Sequence, residues 1–154
     1  MSAQRPGAAL APDGRPLPTV YRLSGMQPSR VQFRLLDGVN ALRASQGLAK
    51  LELSPELNAA GMTHARDMAV QNRPWNFGSD GSSPIDRAQR AGYAGRLIGE
   101  NISETFENEL EALANWMDVP SQRAVIMDPD ARFLGLGWHQ EANGKIWWAM
   151  LTGA

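Results

Sequence analysis

Residues Pro74–Tyr93 read PWNFGSDGSSPIDRAQRAGY, followed by IGENIS at Ile98–Ser103 and EALANWMDVPSQRAVIMDP at Glu111–Pro129. Pro74, Gly78 and the Asp80-Gly81 pair are turn residues, so Asn72 to Ser82 reads as a loop. Ser83 and Pro84 open a short helix, because serine can accept the free N–H groups of a first turn and proline suits the first helical position. Gly92 closes it, and Arg96 to Ile102 is strand-like. Thr105 or Asn108 then starts a fourth helix with Leu110, Leu113, Ala114 and Met117 as its apolar stripe. Pro120 interrupts that helix, and a further turn or short helix runs to about Met127.

Working outward, Ser29 and Gln32 after Pro28 form a capping-box pattern. Val31, Leu35, Val39 and Leu42 continue it as an amphipathic helix that stops at Gly47. Leu48 to Leu53 is a connection with a little strand. Ser54 and Pro55 start a second helix whose one face carries Leu57, Gly61, His64 and Met68. At the other end, Phe133 to His139 and Lys145 to Leu151 form a hairpin across Asn143-Gly144. Gly135 and Gly137 share a face of its first strand, where a neighbouring backbone or ring can approach closely. Trp147 and Trp148 are adjacent in a strand and face opposite sides, so partial exposure of one is expected. Residues 1–27 are rich in Pro, Gly and Ala and read as an arm or linker laid on a single domain over 28–154. Helices packed on an antiparallel sheet make the chain α+β.

A chain of 154 residues suffices for one compact domain with a sizeable core. Net charge is −1 with acids and bases interspersed, which gives no electrostatic case for nucleic acid or an anionic membrane. No apolar run approaches the roughly 20 residues that span a bilayer. Cysteine is absent, which excludes disulfides, thiolate catalysis and thiolate-bound zinc.

The three quoted segments, together with LLDGVNALRASQGLAKLELSPELNAAGMTHARDMA, RFLGLGW and WWAMLTG, resemble the bacterial branch of the CAP superfamily (cysteine-rich secretory proteins, antigen 5, pathogenesis-related 1), also called SCP-like extracellular proteins. The likeness runs from about Arg30 to Gly153 and implies a three-layer α-β-α sandwich. Such proteins usually bring two histidines and two glutamates into one cleft. By motif, Glu100 and Glu111 fall on the acid positions, whereas Asn76 and Gln122 stand where the histidines would be.

Those amides matter chemically. Imidazole ligates zinc and titrates near neutrality, whereas amides do not titrate and offer only hard, weak ligand oxygens. The expected cleft is therefore a static polar network without metal or cofactor. In an alternating strand Glu100 shares a face with Ile98 and Ile102, so its carboxylate must be paired, hydrogen-bonded or in a cleft. Glu107 and Glu109 read as solvated acids at a helix start. His64 reads first as a core residue and only secondarily as a cleft candidate, and His139 as an exposed one, neither placed to restore the histidine pair. Arg123 either anchors the turn after the fourth helix or lines the cleft rim, and Asp80 and Arg87 are expected to pair across the loop. Asn101-Ile102-Ser103 matches the glycosylation pattern.

The resemblance implies an extracellular or periplasmic protein, although the opening MSAQRPGAALAPDGRPLP lacks the apolar segment of a secretory signal. A cytoplasmic chain is the alternative. The functional expectation is a binding module for a lipid, peptide or cell-envelope component. Its rival is a protease- or esterase-like hydrolase using Glu100 or Glu111 as general base.

Overall fold

The computed structural model describes residues 12–14 and 21–154, so most of the expected arm lies outside the described residues. The elements run α1 (Pro28–Ser45), β1 (Glu52–Leu53), α2 (Pro55–Gln71), α3 (Pro84–Arg90), β2 (Leu97–Thr105), α4 (Glu109–Met117), α5 (Pro120–Ile126), β3 (Phe133–Gln140) and β4 (Ile146–Gly153). The sheet order is β1-β3-β4-β2. β4 pairs antiparallel with both β3 and β2, while the short β1 lies parallel to β3. The sheet is thus antiparallel apart from that edge.

The local signals act as read at α2, where the Ser54 side chain accepts the Leu57 N–H at 3.1 Å. At α3, Ser83 and Asp86 complete a reciprocal capping box. α1 differs. It begins at Pro28 with Gln27 as its cap residue, and no side chain caps it. Gln32 lies on the inward face and instead donates to the Leu136 carbonyl at 3.1 Å, satisfying a sheet carbonyl in place of the helix end. Tyr21 and Leu23 of the arm are fastened to the hairpin by Gln140, which donates to the Tyr21 carbonyl at 2.6 Å and accepts from the Leu23 N–H at 2.9 Å.

Both faces of the sheet are covered. Ile146, Trp148 and Met150 pack with Val31, Leu35, Val39, Leu113 and Trp116 of α1 and α4. Trp147 and Ala149 pack with Ala65 and Met68 of α2, and Leu151 with Leu57 and Ala60. The expectation of a partly exposed tryptophan is therefore corrected: Trp147 and Trp148 face opposite layers and both are 0% exposed.

α2 lies unusually close to the sheet. A Cβ on Gly61 would sit 2.7 Å from the Gly137 nitrogen and 2.8 Å from the Ala149 carbonyl. A Cβ on Gly137 would collide with the backbone of Gly61 and Met62, and one on Gly135 with Leu57 and Asn58. Helix and strand meet backbone to backbone, as the paired glycines lead one to expect.

The strand β2 carries a further correction. A bulge between Leu97 and Gly99 leaves Ile98 out of register. An extra residue inverts the side-chain phase. Ile98 accordingly packs in the α1/α4 layer, while Leu97 and Ile102 pack on the α2 side. Glu100 pairs with Leu151 and Ile102 with Ala149, so Glu100 shares the α2 face with Leu97 and Ile102 and not with Ile98.

Gly137→Ala should destabilise the fold by about 3 kcal/mol, the upper end for overpacking, because the atoms it meets are backbone and cannot swing aside. Urea unfolding measures this; a loss below about 1 kcal/mol would show that α2 can lift away from β3 cheaply.

Candidate functional site

Glu100 sits in β2 beneath the loop that follows α2, with its side chain 0% exposed. Burial of a bare carboxylate is costly, and three elements converge to offset it. Arg87 of α3 donates from Nη2 to Glu100 Oε1 at 2.7 Å. Asn76 of the loop donates from Nδ2 to the same oxygen at 3.2 Å and to the Glu100 carbonyl at 3.1 Å. Arg87 also holds the loop itself, donating to the carbonyls of Asn76 at 2.8 Å and Ser82 at 3.0 Å. Glu100 Oε2, Arg87 Nε and His64 Nδ1 are buried without a protein partner.

His64, a secondary candidate, lies beside this cluster, its Nε2 3.7 Å from Glu100 Oε1. The same nitrogen bonds the Trp75 carbonyl at 2.7 Å. A carbonyl only accepts, so Nε2 carries the proton and Nδ1 is bare. Burial pushes the His64 pKa below its ordinary value, Glu100 opposing the shift and Arg87 adding to it. The ring is neutral at pH 7 and its contact with Glu100 is not an ion pair.

The other sequence-derived residues are spread more widely. Gln122 does not reach the site: its carbonyl accepts from Asn101 Nδ2 at 2.8 Å, and Asn101 pairs with Met150 on the opposite, α1/α4 face of the sheet. That bond, with Asn101 only 2% exposed, also makes its glycosylation pattern inaccessible in the folded chain. Glu111 and Arg123 are exposed, and neither bonds to Glu100. The acid that α4 turns inward is Glu109, 1% exposed, which corrects its reading as solvated. Arg34 holds it at 2.7 Å and the Tyr21 hydroxyl donates to it at 2.9 Å. The inward residues of α4 are Glu109, Ala112, Leu113 and Trp116, while Leu110 and Ala114 of the expected stripe are exposed. Asp80 pairs with Arg90 at 2.6 Å, not with Arg87.

What sequence reasoning missed is that Arg87, read as a partner of Asp80, pairs with Glu100. The signal of Arg87 is its phase: with Ala88 it forms the buried side of α3, where Ile85 points outward. Among the described residues, no three His, Cys, Asp or Glu come together in a way that could hold a metal ion.

Beside the network a cavity of about 360 Å³ opens between α2, the loop and α3, with Ala60, Thr63, Asp67, Ser79, Arg87 and Arg90 on its walls. The Arg87–Glu100 pair thus stands in the cavity wall. Asp67 accepts from the Ser79 N–H at 2.7 Å, the Ser79 hydroxyl at 2.6 Å and Gln71 at 3.0 Å. Burial pushes its carboxyl up, but the Ser79 bonds, His64 and Gln71 together outweigh that and hold it below the usual value. Asp80 is held well below the usual range by its bonds to Ser82 and Arg90.

Helices on both faces of the sheet make this an α-β-α sandwich domain. Residues 36–151 match the model of the cysteine-rich secretory protein (CAP) family, and the chain belongs to that family. It is 26% identical over 125 residues to the uncharacterized protein YkwD of Bacillus subtilis, covering 81% of this chain and 48% of that protein. It is also 26% identical over 135 residues to the uncharacterized membrane protein YlbC of the same organism, covering 80% and 39%. The chain thus spans less than half the length of these relatives. In fold it is similar to an outer surface protein of Borrelia burgdorferi, with TM-score 0.75 at 16% identity over 83% of this chain and 95% of the other. An extracellular SCP-domain protein of Bacillus anthracis has TM-score 0.73 at 21% identity over 82% and 41%.

Removing one member of the buried pair should cost more than removing both. Arg87→Ala should destabilise by about 3–5 kcal/mol, the penalty of stranding the other charge, and Arg87→Met with Glu100→Gln by much less. Chemical denaturation decides it, and equal losses would mean the pair is not desolvated as described.

His64 should add a pH dependence. Its folded pKa lies below 6.5, so its contribution is complete above that pH and is lost as pH falls below it, where the unfolded chain takes up the proton more readily. Thermal midpoints should fall between pH 7 and 5 less steeply in His64→Gln than in the parent; parallel slopes would assign the acid sensitivity elsewhere.

Proposed function

We propose that this chain is a secreted CAP-domain binding module whose polar cleft holds a lipid, peptide or cell-envelope component by shape and hydrogen bonding, without metal. The observation that carries this reading is the commitment of Glu100: fully buried, its Oε1 accepts from Arg87 and Asn76. A general base needs a carboxylate free to take a proton from water, and a zinc site needs imidazole or carboxylate ligands without a competing cation. Here an arginine already holds Oε1, and Oε2 is buried away from solvent. Asn76 supplies an N–H in place of an imidazole, and the neutral His64 spends its Nε2 proton on a carbonyl. The network orients groups; it does not poise them for proton transfer.

Secretion is supported by two fold neighbours described as an outer surface protein and an extracellular protein. Among the described residues no helix is long and apolar enough to cross a membrane. Calorimetric titration with Zn²⁺, Ca²⁺ and Mg²⁺ should show no stoichiometric site, and mass spectrometry of the purified chain should detect a co-purifying small ligand. Zinc binding at one equivalent that Glu100→Gln removes would sink the metal-free reading. Peptide or ester hydrolysis abolished by the same substitution would replace binding with catalysis.

A further inference from the structure

The cavity between α2 and α3 has a chemistry of its own. α2 presents Ala59, Ala60, Thr63 and Asp67 to it, and the end of α3 is followed there by Ala91. None of the three alanines or the threonine is large enough to fill the gap, so the space between the helices stays open and mostly apolar. Its four charged lining residues, Asp67, Asp80, Arg87 and Arg90, sum to zero, but they do not pair with one another throughout. Asp80 and Arg90 neutralise each other at 2.6 Å, and Arg87 is neutralised by Glu100 at 2.7 Å. Neither arginine is left over for an anion. Asp67 receives only neutral donors, from Ser79 and Gln71, and pairs with no cation among the described residues. Its two oxygens accept three hydrogen bonds where a carboxylate has about four acceptor sites. An alanine-lined pocket thus ends at one uncompensated carboxylate.

We propose that this cavity binds a primary alkylammonium group, its –NH₃⁺ on Asp67 and its short aliphatic chain against Ala59, Ala60 and Ala91. Three properties select that class. A carboxylate demands a cation, the small apolar walls accept a methylene chain, and the arginines, already paired, offer an anionic ligand nothing. A guanidinium fits less well, because its planar fork needs both carboxylate oxygens and these are already engaged by Ser79 and Gln71. The ligand chemistry is found in a lysine side chain of a peptide and in a free small amine. The inference rests on the binding-module reading and names what that module takes.

The test is an NMR titration of the ¹⁵N-labelled chain at pH 7 and low salt with three isosteres, pentylamine, 1-pentanol and pentanoate. Pentylamine should shift the Thr63 and Ser79 amides saturably and bind roughly tenfold more tightly than pentanol, as a charge-assisted hydrogen bond allows. Pentanoate should bind weakest. Asp67→Asn should bring pentylamine down to pentanol. Because Asp67 also holds Ser79, a variant that leaves the charge alone serves as the second arm: Ala59→Leu, on the α2 wall of the cavity, should block all three probes. Nα-acetyl-lysine methylamide binding more tightly than pentylamine assigns a peptide ligand, and the reverse a free amine; both support the proposal. Equal binding of the amine, alcohol and acid overturns the ammonium assignment while leaving a binding cavity. No saturable shift from any probe overturns both.

Discussion

Where α2 crosses the sheet, Gly61 meets Gly137, and Gly135 lies under Leu57 and Asn58. The absence of three Cβ atoms sets the separation of these layers, and much follows from it. With α2 this near, Ala65 and Met68 suffice to bury Trp147 and Ala149. His64, one helical turn beyond Gly61, comes within 3.7 Å of a carboxylate on β2, two strands away from β3. A larger residue at Gly137 would lift the helix and with it the side chains that hold the loop, His64 on the Trp75 carbonyl and Asp67 on Ser79. The site is therefore coupled to a packing contact that contains no polar side chain of the site itself.

The second constraint is electrostatic. β2 takes Glu100 into the interior on the α2 face, and an interior carboxylate needs a cation or a set of donors. α3 supplies the cation from a helix of only seven residues, one turn from its capped start. The same guanidinium then binds two loop carbonyls, so one side chain fixes the acid, the loop and the wall of the cavity. Such a pair adds little net stability compared with an apolar substitute, but it is expensive to break. It acts chiefly as a positional lock on the 76–82 segment.

How much of this was legible depended on range. Signals that act within a few residues were readable: the Ser54-Pro55 start of α2, the Ser83 cap, the Asn143-Gly144 turn and the glycines of β3. Readings that needed a partner far along the chain failed. The bulge at Ile98 has no sequence mark, yet it moves Ile98 to the opposite layer and changes which residues flank Glu100. Gln32 resembles a capping residue until the sheet offers it the Leu136 carbonyl, 104 residues away. Arg43, 0% exposed, would pass for a helix-end cation, but it donates to the carbonyls of Ala49, Ile126 and Asp128. Of the site, Asn76 and Glu100 were readable as neighbours and His64 as a secondary candidate, whereas Arg87 was read as bracing the loop through Asp80 and not as the partner of Glu100.

The acids of α4 show why. Glu109 and Glu111 stand in the same first turn, with the same helix dipole and the same side-chain chemistry. Nothing local separates them. What separates them is that Arg34 on α1 and the hydroxyl of Tyr21 wait at one of the two positions. Glu109 can shed its water because those donors replace it, and Glu111, lacking them, stays in solvent. The same rule distinguishes Glu100 from Asp67. Both are carboxylates facing the interval between α2 and its neighbours, and both are hydrogen-bonded. Glu100 has a cation and is closed; Asp67 has only neutral donors and faces a cavity. Burial of Glu100 and Glu109 is thus decided by where Arg87 and Arg34 fall, while Asp67, with no such cation, is left facing the cavity.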